Sequence, residues 1–105
     1  MAGLGKFLKQ AQKMQAEMTK VQDDLAKREV EGTSGGGAVK AVARCDGSLA
    51  RIKIDPKVID PKDAEMLEDL ILGAVQNALE SAKKTQNDEM GKVTAGMNLP
   101  PGLGM

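Results

Sequence analysis

Lys6, Lys13, Lys20 and Lys27 recur every seven residues, with Lys9 near the start of the series. On a helix that spacing gives the four amines one heptad position, a stripe beside whatever apolar seam the helix carries. Successive lysines then lie roughly 10.5 Å apart along the axis. Each strand of a nucleic-acid duplex presents a phosphate about every 3.4 Å, so such a stripe can follow a backbone but cannot read bases. A second cationic group, Lys40, Arg44, Arg51 and Lys53, falls in two stretches that alternate like strands. With Val39, Ala41, Ala43, Ile52 and Ile54 turned to a core, the four cations share the opposite face. There they repel one another, and an anion would relieve them. Lys13 with Glu17 and Lys20 with Asp24 also fit plain i, i+4 pairs on a solvated helix.

Other chemistry has little to stand on. The 105 residues carry 15 basic and 15 acidic side chains, with no histidine, tryptophan or tyrosine. Cys45 is the single cysteine, so an internal disulfide, a zinc finger or a Cys-His nucleophile is out of reach. It alternates with Val39, Ala41 and Ala43 and reads as a small core residue. Gly32 and Gly37 have the separation of a phosphate-binding loop, but Ala38 and Val39 stand where lysine and serine or threonine are needed. The carboxylate pairs Asp23-Asp24, Asp60-Asp63 and Glu68-Asp69 have helical or capping explanations. The expectation is a non-enzyme with no cofactor, metal or small-molecule substrate. Its apolar stretches fall short of the roughly 18 residues of a membrane span, and its first residues lack the apolar core of a signal peptide, so a cytoplasmic setting is expected.

The elements that position these residues follow from periodicity. Leu4, Phe7, Ala11, Met14, Met18, Val21 and Leu25 keep a three-four spacing, which predicts a coiled-coil-like helix over about 4–28, roughly 37 Å long. The rest of one small domain cannot cover that length, so part of it should project or pair. Residues 29–55 turn to glycine and β-branched residues and predict a small antiparallel sheet of two to three strands. Residues 38–45 and 49–55 are joined by an Asp46-Gly47 hairpin, a short strand near 29–32 is a third, and Glu31–Gly37 is a loop. Asp60 as N-cap and Pro61 at the first helical position predict a second helix over about 61–88, its apolar face running Leu67, Leu70, Ile71, Ala74, Val75, Ala78, Leu79, Ala82. The fold class is α+β, one domain over 1–92, with residues 93–105 as a mobile tail. Phe7 is the only aromatic, and a core so poor in rings calls for a second copy.

Charge is segregated although its total is zero. Residues 1–22 sum to +3, 23–31 to −2, 32–58 to +3 and 59–91 to −5. Local field, not net charge, must then do any attracting.

Six segments now stand in order: Leu8-Lys9-Gln10-Ala11-Gln12-Lys13-Met14-Gln15, Gly35-Gly36-Gly37-Ala38-Val39-Lys40, Ile52-Lys53-Ile54-Asp55-Pro56, Glu65-Met66-Leu67-Glu68-Asp69-Leu70-Ile71, Met90-Gly91-Lys92-Val93-Thr94 and Leu99-Pro100-Pro101-Gly102. In this order and over nearly the whole chain they resemble the YbaB/EbfC family of bacterial nucleoid-associated proteins. The resemblance implies a homodimer whose long helices extend from the body like tweezer arms. It implies duplex DNA as partner, binding that alters DNA conformation, and roles in nucleoid organisation, gene regulation and DNA protection. Lys9, Lys13, Lys40 and Lys53 match the family pattern, whereas Lys6, Lys20, Lys27, Arg44 and Arg51 rest on charge alone.

The expected DNA surface is therefore Lys6, Lys9, Lys13, Lys20, Lys40, Arg44, Arg51 and Lys53. The expected dimer interface is Leu4, Phe7, Met14, Met18, Val21 and Leu25. A protein-interaction module with incidental DNA binding is the rival, favoured by charge neutrality and a methionine-rich seam.

Overall fold

The structure, a computed structural model, describes residues 2–96. Helix α1 spans Ala2–Lys27, strands β1, β2 and β3 span Glu29–Ser34, Val39–Arg44 and Leu49–Ile54, and helix α2 spans Ala64–Gly96. The three strands form one antiparallel sheet in the order β1-β2-β3. This is the expected α+β arrangement, with its third strand present and longer than expected. Residues 33–34, read only as loop, complete β1 because Ser34 still pairs with Val39. The three glycines then make one tight turn in which all take left-handed φ, 58°, 68° and 96° in order, a run that only glycine adopts without strain. The hairpin forms where Asp-Gly predicts it: Gly47 takes φ 96° and the Asp46 carboxylate accepts hydrogen bonds from the Ser48 N–H and hydroxyl.

The second helix starts three residues later than expected. Asp60 caps a separate turn, accepting from the Lys62 N–H at 2.9 Å, and Asp63 is the helix N-cap, accepting from the Met66 N–H at 3.2 Å. Both aspartates carry cap chemistry, and the second is the one that leads into the unbroken period. The helix also runs past residue 88 to Gly96, so residues 93–96, placed in the tail from the sequence, belong to it. Residues 97–105 of that expected tail lie outside the described residues.

The core lies between α2 and the sheet. Val39, Ala41 and Ala43 of β2 meet Ala74, Ala78 and Ala82 of α2, ringed by Val30, Ile54, Val58, Leu67, Leu70, Ile71, Val75 and Leu79. The expected apolar face of α2 is thus the one buried. Small residues set the spacing: a Cβ on Gly32 would come within 2.1 Å of the Ala78 amide nitrogen. The Ser34 hydroxyl donates to the Leu70 carbonyl and Asn77 donates to the Thr33 carbonyl at 2.9 Å, pinning β1 to α2.

A helix is about 10 Å across and strands lie about 4.8 Å apart, so one helix covers about two strands. Helix α2 packs on β1 and β2. Strand β3 is left over, and Ile52, expected to face a covered core, is exposed, as is Leu49. Ala43 pairs with Leu49 and Val42 with Arg51, which leaves Ala50 as a bulge. The bulge keeps Leu49 and Ile52 on one face despite their odd separation.

Candidate nucleic-acid interface

The C-terminal end of α1 is anchored and the N-terminal end is not. Leu25 is 1% exposed, Arg28 pairs with Glu89 at 3.4 Å, and the Cys45 N–H donates to the Arg28 carbonyl at 2.9 Å. Leu25 therefore spends its apolar surface inside its own subunit, unlike the interface role expected of it. Val21, Met14 and Met18 are half-buried. Beyond them Leu4, Phe7 and Leu8 are 61%, 68% and 55% exposed. The principal extents of 74, 24 and 16 Å are those of a body with a rod attached.

The lysines of the rod divide along the same line. Lys6, Lys9 and Lys13 are exposed on its free part, where residues 2–16 hold no carboxylate. At about 100° per residue they occupy a sector of about 60° centred roughly 150° from the apolar seam, hence across the helix from it rather than beside it. Gln10 borders the same sector, and Gln12 and Gln15 do not. Lys20 and Lys27 instead line a groove of about 580 Å³ between α1 and α2, together with Glu17, Asp23, Asp24 and Glu89. Among the described residues the ion pairs are Arg28–Glu89, Arg51–Glu29 and Lys92–Glu89, so the fitted pairs Lys13–Glu17 and Lys20–Asp24 do not close.

The outer face of the sheet does carry Lys40, Arg44, Arg51 and Lys53, but strand β1 corrects the expectation of four uncompensated charges. Reading across the strands, one row is Thr33, Lys40, Lys53, the next is Glu31, Val42, Arg51, and the last sets Glu29 against Arg44. Arg51 reaches diagonally and donates from both terminal nitrogens to the two Glu29 carboxylate oxygens, at 3.2 and 3.0 Å. This hydrogen bonding holds the Glu29 carboxyl below its usual range against the opposing effect of desolvation, with the nearby Arg51 and Arg44 charges adding less. Asp46 is lowered too, chiefly by its bonds from Ser48, with Arg44 adding to it. The hairpin end of the face is therefore balanced, and the glycine-turn end, with Lys40 opposite Lys53 and the single carboxylate of Asp55 beside them, keeps a net positive charge. The glutamates were in plain view in the sequence. What hid their role was that the expected third strand near 29–32 carried no register, so neither Glu29 nor Glu31 was set against a cation of β2 or β3.

Sequence reasoning also missed Leu49 and Ile52 as unsheltered apolar groups. The signal was there in the width of a single helix set against three strands. Cys45 is buried as expected. Among the described residues no helix is long and apolar enough to cross a membrane, and no three metal-ligating side chains cluster.

Comparison with known proteins places this architecture. Residues 1–97 match the model of the YbaB/EbfC DNA-binding family. Nucleoid-associated protein TTE0040 of Caldanaerobacter subterraneus subsp. tengcongensis is 50% identical over 97 residues, covering 92% of this chain and 87% of its own length. A nucleoid-associated protein of Akkermansia muciniphila is 43% identical over 99 residues, covering 94% of this chain and 95% of its own. In fold alone, the crystal structure of the uncharacterised protein HP0035 from Helicobacter pylori aligns with a TM-score of 0.64 and 17% identity, over 77% of this chain and 94% of that one. Since the match takes in the rod, the sheet and α2 together, the chain belongs to the YbaB/EbfC DNA-binding family.

Proposed function

We propose that this protein binds duplex DNA in the nucleoid as a homodimer and alters its conformation, holding the backbone through charge without catalysing a reaction. The observation that carries the proposal is charge segregation. The free part of α1 presents Lys6, Lys9 and Lys13 with no carboxylate among residues 2–16, while residues 59–91 sum to −5. A neutral molecule with a cationic rod attracts a polyanion locally and keeps its acidic helix away from it. Lys40 and Lys53 add a second point of contact on the body. Lys20, Arg44 and Arg51 flank these contacts, because each lies near carboxylates of its own subunit.

Two unsheltered apolar surfaces support the homodimer: Leu4, Phe7 and Leu8 on the rod, and Leu49 and Ile52 on the uncovered side of β3. Leu4, Phe7, Met14, Met18 and Val21 remain the proposed seam, with Leu25 withdrawn into the subunit core. Because the lysines lie across α1 from that seam, pairing through it turns them outward, and two rods held in fixed relation can clamp or bend a duplex.

Backbone contacts of this kind release counterions. A dimer engaging six to ten phosphates should lose about a thousandfold or more in affinity between 50 and 200 mM salt. Titration of a random-sequence duplex at several salt concentrations reads this directly. A flat salt dependence, or no binding at 50 mM, would overturn the proposal.

A further inference from the structure

We propose that Lys40 and Lys53 together form the phosphate-anchoring site of the sheet, taking one phosphodiester of a DNA backbone between their amines. The inference deepens the DNA-binding reading and rests on it. Three observations converge on this corner. First, the two lysines are register partners on adjacent antiparallel strands. Cβ atoms so placed are about 5 Å apart, and like charges there destabilise the free protein. Second, the third member of the row is Thr33, and among the described residues neither lysine closes an ion pair, the nearest β1 carboxylate, Glu31, standing one row away, whereas Arg51 is held by Glu29. Third, the two lysines line a cleft of about 280 Å³ with Gly37, Ala38, Ile54, Asp55 and Pro56.

The chemistry of that cleft suits a phosphate held by two point charges. Asp55 is the carboxylate in the lining; its Oδ1 accepts the Lys57 N–H at 3.0 Å, and its one negative charge against two lysines leaves the cleft net positive. A Cβ on Gly36 or Gly37 would meet no atom within 4 Å, so the turn beside the lysines leaves room for a backbone to approach. Lysine amines are compact charges with rotatable donors, and two of them can bind the two non-bridging oxygens of one phosphodiester without the fixed geometry of an arginine fork. Binding would also remove the repulsion between them. The row carries no base-reading geometry, so the site positions the duplex and leaves sequence unread.

The test compares Lys40→Gln/Lys53→Gln with Arg51→Gln in the full-length protein, using duplex titrations over a range of salt. Loss of the mutual repulsion should leave the thermal midpoint of the double variant at or above that of the parent. Its affinity for the duplex should fall about tenfold or more, with the log-log salt slope shallower by about one for each lysine removed. Arg51→Gln, whose guanidinium is already engaged, should lose less than about threefold. A double variant with unaltered affinity and slope, or an arginine variant that loses as much, would overturn the site. A second measurement needs no substitution: in the parent protein the amide resonances of Gly37, Lys40 and Lys53 should shift on adding a short duplex. Shifts with inorganic phosphate but none with the duplex would assign the cleft to free phosphate and overturn the proposal. Absence of any duplex binding by the parent would instead overturn the DNA-binding reading, and this site with it.

Discussion

Glu29 stands opposite Arg44, holds Arg51 through two hydrogen bonds, and so subtracts charge from the face on which DNA is proposed to lie. Glu29→Gln should therefore strengthen duplex binding, by about threefold at 100 mM salt, as Arg51 becomes free to meet a phosphate. The same residue gives a pH signature. Glu29, Asp46 and Glu89 all have carboxyls lowered in the folded state by hydrogen bonds from Arg51, Ser48 and Lys92 respectively. A lowered folded value stabilises above the unfolded value, and the contribution disappears as pH falls through the folded one. The thermal midpoint should thus hold near neutrality and drop between about pH 5 and pH 3. In Glu29→Gln that drop should be shallower, measurable by thermal melts at stepped pH. Among single residues, the lysines, Cys45 and the Asp46-Gly47 turn were legible because type and spacing alone define them. The Glu29–Arg51 bridge was not, since it joins residues 22 apart through a strand register that no local pattern encodes.

At the scale of elements, periodicity did most of the work. Both helices, the two hairpin strands and the buried face of α2 follow from spacing, and Leu49–Ile54 begins and ends within a residue of where it was expected. Errors fell at boundaries where two chemical signals compete. Asp60 and Asp63 are both good caps, and glycine-rich Gly32–Gly37 contains strand residues because Gly32 is needed there for another reason. Its missing side chain lets α2 approach: a Cβ would sit 2.1 Å from the Ala78 nitrogen and 2.6 Å from the Ala74 carbonyl oxygen, both backbone atoms that cannot turn aside. Gly32→Ala must push the helix off the sheet. We expect destabilisation of about 1–3 kcal/mol, the usual cost of forcing atoms into a filled interior, read from urea unfolding of the two proteins. An unchanged unfolding midpoint would mean that α2 rides higher on the sheet than described. The alanine-rich core thus reflects close approach of helix and strand, with Leu25, Val39 and Cys45 the largest side chains fully buried.

For the whole molecule, one helix on three strands and a rod longer than its support leave a subunit with surfaces it cannot cover alone. The length of α1 against so small a body was readable from the sequence, and so was the scarcity of large core residues. Which apolar residues would be left uncovered was not, because it depends on the width of α2 across the sheet. The division of the lysines into a free set near the tip and a set near Glu17, Asp23 and Asp24 at the base was legible along α1; only the addition of Glu89 needed α2 in place. The central claim is that the tip, Lys6 through Lys13, is the part of the rod that holds DNA. Its most direct measurement is a duplex titration of Lys9→Glu/Lys13→Glu at 50 and 200 mM salt, with the oligomeric state followed by sedimentation in the same samples. A dimer is expected to persist, with affinity at 50 mM reduced about thirtyfold or more and the salt slope shallower by about three to four, for four lysines lost per dimer. An intact dimer that binds as tightly as the parent, with the same slope, would contradict the claim.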